Sequence, residues 1–193
     1  MPNKSILELK QIGWNNLFAI YTNLLYIIFG LYILYNDNMS NLYSLLWSCA
    51  FIYIGISSYL FHKNMTKFTR FLDGNSMIFI ETLLFITSIF FIYGKNYNSF
   101  NFIISIILLW LILGYIDYKY NKKYNIIIDV TLVILSILIL CKSLKNNCLL
   151  YLYIAIFAWI INIYKIFFDH GIFHGFWHIF TGFSLYEAYL HCK

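Results

Sequence analysis

NLFAIYTNLLYIIFGLYILY, residues 16–35, runs for twenty residues without a charged side chain. An α-helix rises about 1.5 Å per residue, so such a run reaches about 30 Å, the thickness of a bilayer's hydrocarbon core. Outward along the chain the same template fits residues 42–61, 71–93, 100–117, 125–141, 148–168 and 173–190, and nothing is left over for a soluble domain. The expectation is an all-α polytopic membrane protein, a bundle of seven transmembrane helices forming one domain over residues 1–193. The connections are short and polar, so sequential helices should pack as antiparallel neighbours.

The composition points the same way. Of 193 residues, 62% are apolar and 11% are charged, against about 25% charged in an average soluble domain. That is too little polar surface to cover a soluble globule of this size. The net charge of +5 is scattered over short loops and makes no continuous stripe, which argues against nucleic acid as a partner and reads as a topology signal. Cys49, Cys141, Cys148 and Cys192 form no C-x-x-C pair, so neither a disulfide framework nor a cysteine metal site is expected. The first apolar run exceeds a signal-peptide core and lacks a small-residue cleavage site, so it is expected to remain as the first span.

Seven spans put the N-terminus on one face together with the loops after the second, fourth and sixth. That face carries Lys4, Lys10, Lys63, Lys67, Arg70, Lys119, Lys122, Lys123 and Lys165, while the other has Lys95, Lys142, Lys145 and Lys193. The positive-inside rule then places the N-terminus in the cytosol. Glycosylation sequons at Asn3, Asn38 and Asn64 fall on both faces and do not arbitrate.

An ionisable residue inside a span costs about 2.5–3.5 kcal/mol on insertion scales and is a functional candidate by default. The second span ends in Ser57-Ser58-Tyr-Leu-Phe-His62, the third opens on Asp73 and carries Glu81, the fifth holds Asp129, and the seventh reads His170-Gly-Ile-Phe-His174-Gly-Phe-Trp-His178. The topology brings His62, Asp73, His174 and His178 to one membrane level. His174 and His178 are four residues apart, hence on one helix face and able to grip one ion, with His62 completing a three-histidine site. Three neutral imidazoles with an open fourth position suit a catalytic zinc better than a structural one. Ser58, one turn before His62, and Asp73 are placed to serve a water there as hydrogen-bond partner and proton acceptor. His170 is an alternative ligand expected in a loop, His191 is expected at the surface, and Glu81 and Asp129 are read as packing or cavity residues. Two of these histidines could also clasp a haem, but that would leave Ser58 and Asp73 without a role. A lone histidine at a span end is ordinarily interfacial; the metal reading rests on the three together.

Ser58-x-x-x-His62, then Leu72-Asp73 followed by Met77-Ile78, then His174-Gly-Phe-Trp177-His178-Ile-Phe-Thr181-Gly182 resembles the alkaline ceramidases. These belong to a wider superfamily of seven-helix metal hydrolases that includes the progestin and adipoQ receptors. The resemblance implies an intramembrane zinc amidase, of an endoplasmic reticulum or Golgi type membrane, that splits ceramide, dihydroceramide or phytoceramide into a sphingoid base and a fatty acid. It implies that His62, His174 and His178 bind zinc, that Asp73 activates the water, and that Ser58 steadies the water or the oxyanion. Two positions depart from the family. Glu8 is the only acid before Asp37, so the family's calcium site is expected to be absent, and Gly74 stands where the family prefers Glu. The family's luminal N-terminus also conflicts with the lysine count, which suits an adipoQ-receptor-like lipid sensor with the same metal ligands as the alternative reading.

Overall fold

The computed structural model describes residues 16–37, 41–119, 131–136, 146–164 and 172–193. They form α1 (Leu17–Thr22), α2 (Leu24–Asn36), α3 (Leu42–Asn64), α4 (Lys67–Ile92), α5 (Phe100–Lys119), α6 (Asn146–Tyr164) and α7 (Ile172–Cys192); residues 131–136 are helical too, and no strand occurs among the described residues. The expected fifth span, with Asp129 and Cys141, lies mostly outside the described residues, as do Glu8, His170, Asn3 and Asn38. Cys49 and Cys192 form no disulfide.

Four stretches among the described residues are long and apolar enough to cross a membrane: Leu17–Asn36, Leu42–Asn64, Lys67–Ile92 and Phe100–Asp117. The first joins α1 and α2. Asn16 caps α1 by accepting from Phe18 N at 2.8 Å, and the Asn23 amide turns back to Ala19 O at 2.9 Å, marking the joint between the two segments. α7 does not reach the same apolarity, because it carries His174, His178, His191 and Glu187.

The chain is apolar on its outer face as well as in its core. Leu17, Tyr21, Leu24, Ile28, Leu31 and Tyr35 are exposed along one stripe of α1 and α2, as are Ile107, Leu108, Leu111 and Ile112 on α5. The buried sites hold an apolar core around Tyr26, Trp47, Phe51 and Tyr189 together with the hydroxyls of Ser44, Ser48, Ser57, Ser58, Ser76, Thr82, Thr87 and Ser88. In lipid an apolar outer face needs no cover, while hydroxyls and small residues let helices approach closely and bond across. The chain is therefore a membrane protein.

α7 packs against α1, α2, α4 and α6, and α3 joins α2 to α4, which in turn meets α5. The α2–α3 seam is glycine-tight. A Cβ on Gly30 would stand 2.7 Å from Ile52 Cγ1 and 2.9 Å from the Ser48 carbonyl oxygen, and Ser48 Oγ donates to Gly30 O at 2.7 Å. Gly30→Ala must push this seam apart and lose that bond, at about 1–3 kcal/mol. It should lower the detergent melting temperature by several degrees; an unchanged melting curve would contradict the seam.

The turn between α3 and α4 is tighter than the expected loop from His62 to Arg70. α3 runs on to Asn64, where Met65 at φ 44° ends it in the left-handed region. Thr66 and Thr69 then form a reciprocal capping box that opens α4 at once. Only Met65 and Thr66 lie between the helices, so the polar end of α3 and the start of α4 are held side by side.

Candidate metal centre

That two-residue turn fixes what faces what. His62 sits in the last turn of α3, while Ser58 lies one turn deeper and is 3% exposed. Asp73 is about as many residues beyond the turn as Ser58 is before it, so at about 1.5 Å per residue the two reach one depth on neighbouring helices. Hydroxyls stitch the pair there: Ser76 Oγ donates to Asp73 O at 2.7 Å and meets Ser57 Oγ at 2.6 Å. The Asp73 carboxylate is within electrostatic reach of the Tyr26 and Tyr53 hydroxyls, and Tyr53 donates to Asn75 Oδ1 at 3.0 Å.

α7 brings the other two histidines from its first turns. α1 leans on it between them, since a Cβ on Gly175 would fall 2.5 Å from Phe18 Cδ1, and the Tyr26 ring meets His178 edge to face with centroids 6.2 Å apart. His62 Nε2 stands 3.1 Å from His174 Nε2 and 3.2 Å from His178 Nε2. All three rings are buried, and their ligand atoms lie within 4.8 Å of one another. Asp73 is not part of that set.

One ring nitrogen carries either a proton or a lone pair, so His62 Nε2 cannot make two good hydrogen bonds to these neighbours at once. The spacing fits a shared ion better: with metal–nitrogen bonds of about 2.0–2.1 Å at a tetrahedral centre, nitrogens stand about 3.3 Å apart. A buried cluster of this kind can hold a metal ion. It does not suit a haem clasped on both faces, because two axial imidazoles stand two metal–nitrogen bond lengths apart, further than these.

No family model and no curated protein matches this chain.

Of the residues singled out from the sequence, His62, His174 and His178 come together, Ser58 is buried one turn below His62, Asp73 lies outside the converging set, and Glu81 is buried within α4. His191 differs from its expected surface position: its ring packs on Phe91 with centroids 5.2 Å apart, and its Nε2 is buried. Tyr26 and Asn23 are uncharged and do not stand out among the ionisable residues of the spans. The available signal was an amide in the middle of a charge-free span.

Proposed function

We propose that this chain is a seven-helix intramembrane zinc amidohydrolase that cleaves the N-acyl amide of ceramide-type lipids to a sphingoid base and a free fatty acid. The observation that carries the reading is the convergence of three buried histidine Nε2 atoms in a helical bundle with an apolar outer face. The bundle is read as seven spans, α1 and α2 forming one and the helical stretch over 131–136 falling inside the fifth. When bound, zinc would supply the Lewis acidity that activates water and polarises the amide carbonyl.

The chain's own groups supply the rest. His62, His174 and His178 present neutral imidazoles from two helices that meet at this depth. The Asp73 carboxylate takes a proton from the attacking water and hands it to the departing nitrogen as the carbon–nitrogen bond breaks, so that water's oxygen ends in the fatty acid. Ser58 donates a hydrogen bond to the oxygen that gains charge. The apolar wall lets both lipid chains stay in the bilayer while the amide reaches the histidines. The resemblance of the Ser58, His62, Asp73 and His174-x-x-x-His178 pattern to the alkaline ceramidases supports the choice of substrate, and a membrane of the endoplasmic reticulum or Golgi type follows from the same likeness.

The test is detergent-purified protein, assayed for metal and incubated with a fluorescent ceramide. Zinc near one per chain should accompany fatty-acid release; a strong chelator should stop release, and added zinc should restore it. Zinc retained without turnover on any ceramide would favour the receptor-like lipid sensor. Release that survives complete removal of metal would rule out the metal amidase.

A further inference from the structure

One buried polar group close to the histidines has no use in the mechanism above. Asn23 is 0% exposed, and its amide nitrogen is committed to Ala19 O at 2.9 Å, while its Oδ1 meets no hydrogen-bond partner. An acceptor left bare inside a membrane bundle costs free energy unless something fills it.

Its depth can be placed. The Ala19 N atom stands 3.4 Å from a Cβ built on Gly175, and Tyr26 Cε1 stands 3.4 Å from one built on Gly182. Phe29 and Leu25 also meet Gly182, at 3.4 and 3.6 Å, so this rod and α7 run parallel and Asn23 falls near the turn of α7 that follows His178. Asn23 also belongs to the buried stripe of Ala19 and Tyr26, whose ring touches His178. On the α7 side of this level Thr181 Oγ1 is likewise buried, beside the Tyr26 hydroxyl. From α3, the Asn23 carbonyl lies 3.1 Å from a Cβ built on Gly55, one turn before Ser58.

We infer that Asn23 Oδ1 and, beside the Tyr26 hydroxyl, Thr181 Oγ1 form a specificity shelf one to two helical turns deeper than the histidines, which reads a hydrogen-bond donor on the bound lipid. Asn23 Oδ1 only accepts, so the group it selects is an N–H or O–H. An amphiphile bearing an amide N–H or a hydroxyl near its cleavable bond satisfies the shelf, whereas an ester lipid without donors leaves the Asn23 oxygen bare. Sites built to bond a donor reject analogues that lack one far more strongly than apolar pockets reject a missing methylene. The inference rests on the reading of the site as a lipid hydrolase, and it explains why that hydrolase would prefer N-acyl amino alcohols to the ester lipids that surround it.

The experiment measures equilibrium binding to the full-length detergent-solubilised chain of two probes that resist hydrolysis. One is a dansylated long-chain amino alcohol, with sulfonamide N–H and hydroxyl donors; the other is its N,O-methylated counterpart. The parent should bind the donor probe roughly tenfold to a hundredfold more tightly. Asn23→Leu and Thr181→Val should each bring the ratio toward one with metal content unchanged. Thr181→Val is nearly isosteric and carries the test if Asn23→Leu fails to fold. Equal affinities in the parent, or a ratio that neither variant moves, would overturn the shelf. A chain that discriminates the probes but holds no zinc would keep the shelf and remove the hydrolase; one that holds zinc and cleaves ceramide without discriminating would do the reverse.

Discussion

The His174→Ala, His178→Ala double variant is expected to lose its metal altogether and with it all amide cleavage. Two of three ligands leave one face of α7, and His62 alone cannot retain an ion against detergent and buffer. The change is local: both residues lie in the first two turns of α7, where Gly175 and Phe18 rather than the imidazoles set the approach of α1. The bundle should therefore survive, and a stability measurement separates loss of metal from loss of fold. An ion present at a thousand times its dissociation constant stabilises the parent by about 4 kcal/mol, so chelator should lower the parent's melting temperature and leave the double variant's untouched. A double variant that still binds one zinc per chain would show that the ion sits elsewhere.

The sequence made this corner of the molecule legible because the bilayer enforces simple rules. A charge-free run the length of a membrane has few alternatives to a helix, and counting runs sends the ends of the second, third and seventh to one face. Histidines four apart on a helix then share a side. What pattern alone could not give was the detail of the turn. The expected loop from His62 to Arg70 collapsed to two residues because Met65 adopts the left-handed conformation and Thr66 with Thr69 restarts the helix immediately. The consequence is chemical, since the turn sets Asp73 level with Ser58 rather than with His62. The joint at Asn23 was hidden for a different reason. An amide carries no charge and hardly lowers the apolarity of a span, so only its burial and its bare oxygen make it visible. α7 shows the converse: the histidines that could hold an ion are among the residues that weaken its signal as a membrane helix.

Asp73→Asn should divide binding from chemistry. The carboxylate is not among the converging ligand atoms, so its replacement by an amide of the same shape should leave zinc content at the parental level. The amide also keeps the backbone contact in which Ser76 Oγ donates to Asp73 O, and with it the register of α3 against α4. What it cannot do is accept a proton from water and return it to nitrogen. General acid–base steps of this kind contribute about 10²–10⁴-fold, and the loss should fall on kcat, with KM for a fluorescent ceramide changed much less because the lipid's contacts remain. Ser58→Ala, which removes a single hydrogen-bond donor, should cost less than Asp73→Asn while also sparing the metal. If Asp73→Asn instead emptied the site of zinc, the carboxylate would be a ligand or the support of one. If it turned over at the parental rate, the proton would travel by another route and the role given to Asp73 would fall.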